Sequence, residues 1–268
     1  MNITIAALYI YPIKSLGHIS IKTARAEYRG LKYDRRWMVV DDEGRFMTQR
    51  EYPSMAMIDV KMTCDELQLS YTKGTFGTVS IPLNGPEKGH RINVKVWDDQ
   101  VWALSPGLTA DGWLQEVLKQ KCRLVYMPDD VSRPADKRYA PVKTNVSFAD
   151  AFPFLLANKA SLQELSKRIG ADMSMLRFRP NIVVDDNTPY TEDHWKKIGI
   201  GPIVFHVVKP CARCVVTTIE PGTDNKGAEP LRTLSGYRKK NNKIYFGQNM
   251  IVEREGVISV GDRVQVFD

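Results

Sequence analysis

Cys211 and Cys214 sit in the run Lys209-Pro210-Cys211-Ala212-Arg213-Cys214-Val215-Val216-Thr217-Thr218, with a guanidinium between them. Thiolate is the form of cysteine that ligates metal, and Arg213 next to Cys214 lowers the cost of keeping that sulfur ionised. The pair reads as a site for a thiophilic metal, against three competing readings. A thioredoxin-type redox pair belongs near a helix start in an alternating strand and helix pattern, which the Val/Thr-rich continuation does not supply. Structural zinc needs a second ligand pair, whereas Cys64 and Cys122 are isolated and no His-x3-His spacing exists. The third alternative makes both thiols small buried hydrophobes, a common fate of free cysteine. The β-branched runs Pro202 to Val208 and Val215 to Ile219 predict strands on either side. Pro210, unable to pair within a central sheet, then puts the cysteines at a strand-to-strand corner.

Other residues suited to an anion fall at predicted element ends. Tyr11-Pro12-Ile13-Lys14-Ser15 closes the first strand, where Lys14 offers a point charge and Ser15 a hydroxyl. Asp34-Arg35-Arg36-Trp37 opens another strand, and alternation lets only one of its two guanidiniums face inward. In Phe178-Arg179-Pro180-Asn181, Arg179 and Asn181 fall on one side of an extended segment and together suit a planar polar ligand. Taken singly, each reads as a surface salt bridge or turn contact.

The elements that must position these groups are mainly strands with a few helices, an α+β pattern. Turn signals at Asp41 to Gly44, Cys64 to Glu66 and Asp98-Asp99 punctuate the first hundred residues, which read as a barrel or curled sheet. Trp113, Leu114, Val117 and Leu118 form an apolar stripe on a helix from Thr109 to Lys121, marking the passage to a second domain. Ser161-Leu162-Gln163-Glu164 reads as a capping box for a helix whose core face is Leu162, Leu165 and Ile169 and which stops at Gly170. Shorter helices are expected over Thr191 to Lys197 and Pro230 to Arg238, before a strand-rich end from Ile244 to Phe267.

The 268 residues suffice for one large β domain or two that share an interface. With 43% hydrophobic and 26% charged residues the chain is globular, not disordered. Its net charge of +7, from 38 Lys and Arg against 31 Asp and Glu, suits an anionic ligand or an acidic partner protein. Nucleic acid is disfavoured because the cations are scattered. Four cysteines, two of them isolated, make no disulfide framework and fit a reducing compartment. Met1 to Ile13 lacks a positive n-region and a cleavage site and reads as a first strand, and no run approaches the ~20 apolar residues of a membrane span. A cytoplasmic location without membrane attachment follows as the expectation.

The motifs YPIKS, DRRW, SFADAFPFLLAN, FRPNIVV, KPCARCVVTTIEP and FGQN, in that order, resemble the MOSC family over nearly the whole chain. Within it, the chain is most similar to the bacterial YcbX type and the mitochondrial amidoxime-reducing component. The resemblance implies a MOSC N-terminal β-barrel-like domain over 1–115 packed on a β-barrel MOSC domain over 116–268, with no C-terminal ferredoxin domain. It also implies a molybdenum cofactor, whose metal is held by a pterin dithiolene and by the second cysteine of the CxRC motif, Cys214. Lys14, Ser15, Arg35, Arg179, Asn181 and Arg213 would surround the pterin. Ala212 stands where the family has serine, so a contact there runs through backbone, and Ala151 and Phe152 would contribute only main chain or packing.

The activity implied is reductive removal of oxygen from N-hydroxylated bases and amidoximes, a detoxification of base analogues. Asp150 is the candidate proton donor or water anchor, on the expectation that burial raises its pKa; Arg36, Gln248 and Asn249 are expected around the site and are given no catalytic role. A separate electron donor, a ferredoxin or flavoprotein, is expected, because the chain ends at Asp268 without an iron-sulfur cysteine set. The alternative is a cofactor-binding or sulfur-handling carrier without turnover, although no pyridoxal-phosphate domain is present to generate sulfane sulfur.

Overall fold

The computed structural model describes residues 3–107, 109–140 and 144–267; Met1, where the expected first strand begins, and Asp268 lie outside the described residues. The first half contains β1 (Ile3–Ile10), β2 (Ile19–Ile21), β3 (Thr23–Glu27), β4 (Gly30–Leu31), β5 (Trp37–Asp41), β6 (Ile58–Met62), β7 (Glu66–Tyr71), β8 (Thr78–Pro82), β9 (His90–Val96) and β10 (Asp99–Ser105). There follow α1 (Thr109–Leu118), β11 (Cys122–Tyr126), β12 (Phe154–Asn158), α2 (Lys159–Ile169), β13 (Ile182–Asp185), β14 (Lys197–Ile200) and β15 (Ile203–Arg213). The chain finishes through α3 (Leu231–Ser235), β16 (Lys239–Lys240), β17 (Lys243–Val252), β18 (Gly256–Ser259) and β19 (Arg263–Phe267). The fold is mainly β with a few helices, as expected.

Seven strands close into a barrel in the order β12-β13-β1-β19-β14-β15-β17, with β17 pairing back onto β12. The chain's first strand is therefore a stave of a barrel otherwise built from its second half. Ile5, Leu8 and Ile10 all point into the barrel core with Phe154, Leu156, Ile198, Phe205 and Val264. Strict alternation does not place Ile5 and Leu8 on one face. The register shift between Ile5 and Ala7 inserts the extra residue that does. The β12–β13 pair is parallel, which requires a crossover, and α2 supplies it.

That helix starts earlier than the capping-box pattern suggests. Asn158 is its N-cap, accepting from the Ala160 amide at 3.0 Å, because Ser161 is fully buried and spends its hydroxyl on Glu192 at 2.8 Å. Gly170 ends it in the left-handed conformation, at φ 78°. The helix expected over Thr191 to Lys197 is only a 3-10 turn at Thr191–Asp193, since Lys197 already belongs to β14, between β15 and β19. Pro230 to Arg238 condenses to the short α3.

In the first half, the sheet β5-β11-β10-β9 and the hairpins β6-β7-β8 enclose a second core around Trp37, Ile58, Leu67, Leu69 and Leu124, which α1 covers with Ala110, Trp113, Leu114 and Val117. The expected division at residue 115 falls inside α1, and β11 still pairs with β5.

Gly247 sits where β17 closes the barrel. Its φ is +76°, and a Cβ there would lie 2.6 Å from the Leu156 carbonyl oxygen. Gly247→Ala is expected to cost at least about 1–3 kcal/mol, read as a lower denaturant midpoint at unchanged slope.

Candidate functional site

The cysteine segment departs from the corner drawn from sequence. β15 runs on through Pro210 and Cys211 to Arg213. Beyond His206 it has left β14 and, among the described residues, pairs only with β17, through register shifts between Val207 and Lys209 and between Pro210 and Ala212. One edge is open there, so the missing Pro210 N–H breaks no ladder. Val215–Thr218 is a 3-10 turn and not a strand. The Thr217 and Thr218 hydroxyls donate back to the Cys214 and Val215 carbonyls at 2.9 and 2.8 Å, a local bond that competes with sheet pairing. Cys214 is thus the hinge residue between a strand end and a tight turn.

Arg213 does not serve the sulfur beside it in sequence. Its Nη1 donates to Cys211 Sγ at 2.8 Å and its Nη2 to the Phe178 carbonyl at 2.7 Å. The guanidinium that reaches Cys214 Sγ is that of Arg50, with Nη2 at 3.4 Å. All four cysteines are free thiols.

Three other site residues, Ser15 (φ 67°), Arg35 (φ 48°) and Arg179 (φ 53°), have left-handed backbone. Non-glycine residues held there cost energy that the surrounding structure must supply, and such residues cluster at functional sites. Arg179 caps a 3-10 turn at Met175–Phe178, so the extended alternation expected of Arg179 and Asn181 does not exist. The two meet by another route. Arg35 donates to Asp34 at 2.6 Å, to Asn181 Oδ1 at 3.2 Å and to the Arg179 carbonyl at 3.2 Å. Both guanidiniums also stack on the buried Tyr11 ring, at 4.3 and 4.2 Å from its centroid. Burial, reinforced by Arg35, pulls Arg179 down to about 10, still protonated at neutral pH. Asn181 also accepts from the Leu155 amide and donates to the Tyr9 carbonyl, so its amide holds the cluster together.

Lys14 is 5% exposed and donates to the Phe148 carbonyl at 2.8 Å and to Asp150 Oδ1 at 2.5 Å. Burial lowers its pKa, and Asp150 opposes that fall. Protein packed around Asp150 pushes it up, an effect that its open face to solvent weakens, while Lys14, Arg50 and the Trp97 indole, which donates at 3.2 Å, pull harder and leave it below the usual carboxylate range. Its side chain is 61% exposed. The raised pKa expected of Asp150 is therefore overturned: it is a carboxylate at neutral pH, suited to anchoring water and not to donating a proton.

These groups line one cleft of about 810 Å³, its open mouth included. It collects Lys14, Ser15, Arg35, Asp150, Ala151, Phe152, Arg179, Asn181, Cys211, Arg213, Cys214 and Asn249. Ala212 is not in its lining; it is exposed and pairs with Tyr245 of β17. Arg36 turns away to the Met127 carbonyl and Asp129, and Gln248 is buried against Asp193. Thr48 and Arg50 are lining residues that sequence reasoning missed. No spacing signal marks them, because Arg50 lies 164 residues from the sulfur it touches.

The family pattern for the MOSC N-terminal beta barrel domain matches residues 2–121, and that for the MOSC domain matches 143–265. The chain is 34% identical to mitochondrial amidoxime-reducing component 1 of Mus musculus, over 98% of this chain and 82% of that protein. It belongs to the MOSC-domain family. The Homo sapiens protein of the same name is 32% identical, over 98% of this chain and 83% of that one. Molybdenum cofactor sulfurase of Oryza sativa subsp. japonica is 28% identical over 92% of this chain but only 32% of its own length.

The MOSC cleft fits an anionic, hydrogen-bonding group. Five cations, Lys14, Arg35, Arg50, Arg179 and Arg213, face one carboxylate, Asp150. Among the described residues, Arg179 Nη2 and Arg213 Nε are buried without a hydrogen-bond partner, a cost that a bound anion would remove. Among the described residues no three His, Cys, Asp or Glu side chains cluster to hold a metal. A metal at Cys214 must then bring most of its ligands with it.

Proposed function

We propose that this protein binds a molybdenum cofactor through Cys214 and reduces N-hydroxylated small molecules, among them N-hydroxylated bases and amidoximes. The observation that carries the reading is a free thiol in a cationic cleft drawn from both halves of the chain, with buried guanidinium N–H groups that no described residue pairs. When bound, the cofactor supplies two-electron reduction: an amidoxime takes two electrons and two protons and yields an amidine and water. Lys14, Arg35, Arg179 and Arg213 bind the anionic pterin, with Asn181 and Tyr11 holding the arginines in place. Ser15, Ala151 and Phe152 offer main-chain and packing contacts. Cys214 is the metal ligand, a soft donor suited to a soft metal. Asp150 anchors water beside it and fixes Lys14.

Electrons come from a separate donor, a ferredoxin or flavoprotein, and the protein works in the cytoplasm. No helix among the described residues is long and apolar enough to cross a membrane. Likeness to a molybdenum cofactor sulfurase supports a second reading, a carrier that holds the cofactor without turnover. Protein purified from a host that makes the cofactor is expected to contain molybdenum and to reduce benzamidoxime with an artificial reductant. Molybdenum without reduction selects the carrier, and no molybdenum ends both readings.

A further inference from the structure

A second groove, of about 1030 Å³ with its open mouth included, adjoins the cleft and shares Thr48 and Arg50 with it. It runs between the segment after β5 and the β9–β10 hairpin, and Phe46, Tyr52 and Trp97 supply its aromatic surface. Charge offers a ligand little net attraction there, since Asp41, Glu51 and Asp98 offset Arg45, Arg50 and Lys95. The groove therefore suits a neutral, flat body, in contrast to the cationic cleft next to it.

Trp97 is the junction between the two. It is the first residue of the two-residue loop joining β9 to β10, and its φ is 57°. A bulky side chain is disfavoured in that conformation, where glycine or asparagine is usual. The strain has a visible return. The indole N–H holds Asp150, the ring carries the Arg50 guanidinium at 4.3 Å, and Phe46 packs on it at 4.9 Å. Through Arg50, the same ring reaches the Cys214 sulfur.

We infer that this groove is the substrate subsite, receiving the aromatic or heteroaromatic body of an N-hydroxylated compound against Trp97 and Phe46 while Arg50 and Asp150 face its polar N–OH end. The inference rests on the function proposed above for the cleft. Trp97 is then a specificity-determining residue: the aromatic surface it forms with Phe46 rewards a flat substrate by contact, and its ring and N–H keep Arg50 and Asp150 aimed at the reacting end.

Two measurements test it. In cofactor-loaded protein, Trp97→Ala is expected to lower the preference for benzamidoxime over acetamidoxime, as a ratio of kcat/KM values, by about 2- to 10-fold, while Trp97→Phe keeps it. In cofactor-free protein, benzamidoxime is expected to quench tryptophan emission in the wild type and far less in Trp97→Phe. An unchanged preference in Trp97→Ala, or equal quenching in wild type and Trp97→Phe, overturns the subsite. Quenching that depends on Trp97, without reduction by loaded protein, keeps the subsite and removes the proposed activity instead.

Discussion

Cys214→Ser is expected to reduce bound molybdenum to background and abolish N-hydroxyl reduction, whereas Cys211→Ser keeps most of the metal and at least a tenth of the activity. The two thiols share a strand end and a cleft, yet their surroundings differ. Cys211 Sγ is already engaged by Arg213 at 2.8 Å, and that guanidinium is in turn tied to the Phe178 carbonyl. Among the described residues, the hydrogen bond to Cys214 Sγ comes from Arg50, at the longer 3.4 Å, and the sulfur sits at the hinge between β15 and the following turn. Serine at 214 keeps the shape but replaces a soft donor with a hard, weakly acidic one. Serine at 211 still accepts from Arg213 and disturbs only a group behind the ligand, for which losses of roughly 10- to 100-fold in metal affinity are the upper range. Metal analysis alongside the reduction assay separates the cases. Equal loss from both substitutions would sink the ligand assignment.

The sequence was informative where chemistry is local. Strand and turn signals located the β9–β10 and β6–β7 hairpins, the helical stripe located α1, and Lys14, Arg35, Arg179 and Asn181 were singled out by residue type at element ends. What stayed hidden depends on contacts across the fold. Nothing near Arg50 announces that it will meet Cys214, and adjacency wrongly assigned that task to Arg213. The raised pKa expected of Asp150 fails for the same reason. The protein packed beside it does raise it, but the Lys14, Arg50 and Trp97 groups that reverse the shift come from three separate segments. Local propensity also failed at Val215–Thr218, where two threonine hydroxyls bond backward, and at Pro210, tolerated because β15 has an open edge there. The barrel's use of β1 is equally invisible to any reading that divides the chain into consecutive halves.

The same logic of distant partners makes Arg133, a residue no motif singled out, the source of the second large effect. It is 5% exposed, and its guanidinium donates to Asp99 at 2.7 Å and to the Ser147, Ala149 and Asp150 carbonyls at 2.9, 2.6 and 3.1 Å. Lys14 takes the remaining carbonyl of that run, Phe148. Four consecutive carbonyls thus point at two cations, and this fastening sets the position of Asp150 at the cleft. Arg133→Ala strands three of those carbonyls and is expected to destabilise the fold by roughly 3–5 kcal/mol, mostly from carbonyls left without a donor, since Asp99 is half-exposed and its pairing adds little. Arg133→Lys keeps the charge but lacks the planar fork, so it recovers only part of the loss. Denaturant unfolding of the three proteins gives the comparison, and a penalty below about 1 kcal/mol for alanine would mean that water replaces the guanidinium without strain. Molybdenum retention is expected to follow the same order, because the loop that Arg133 pins carries Asp150, Ala151 and Phe152 into the cleft.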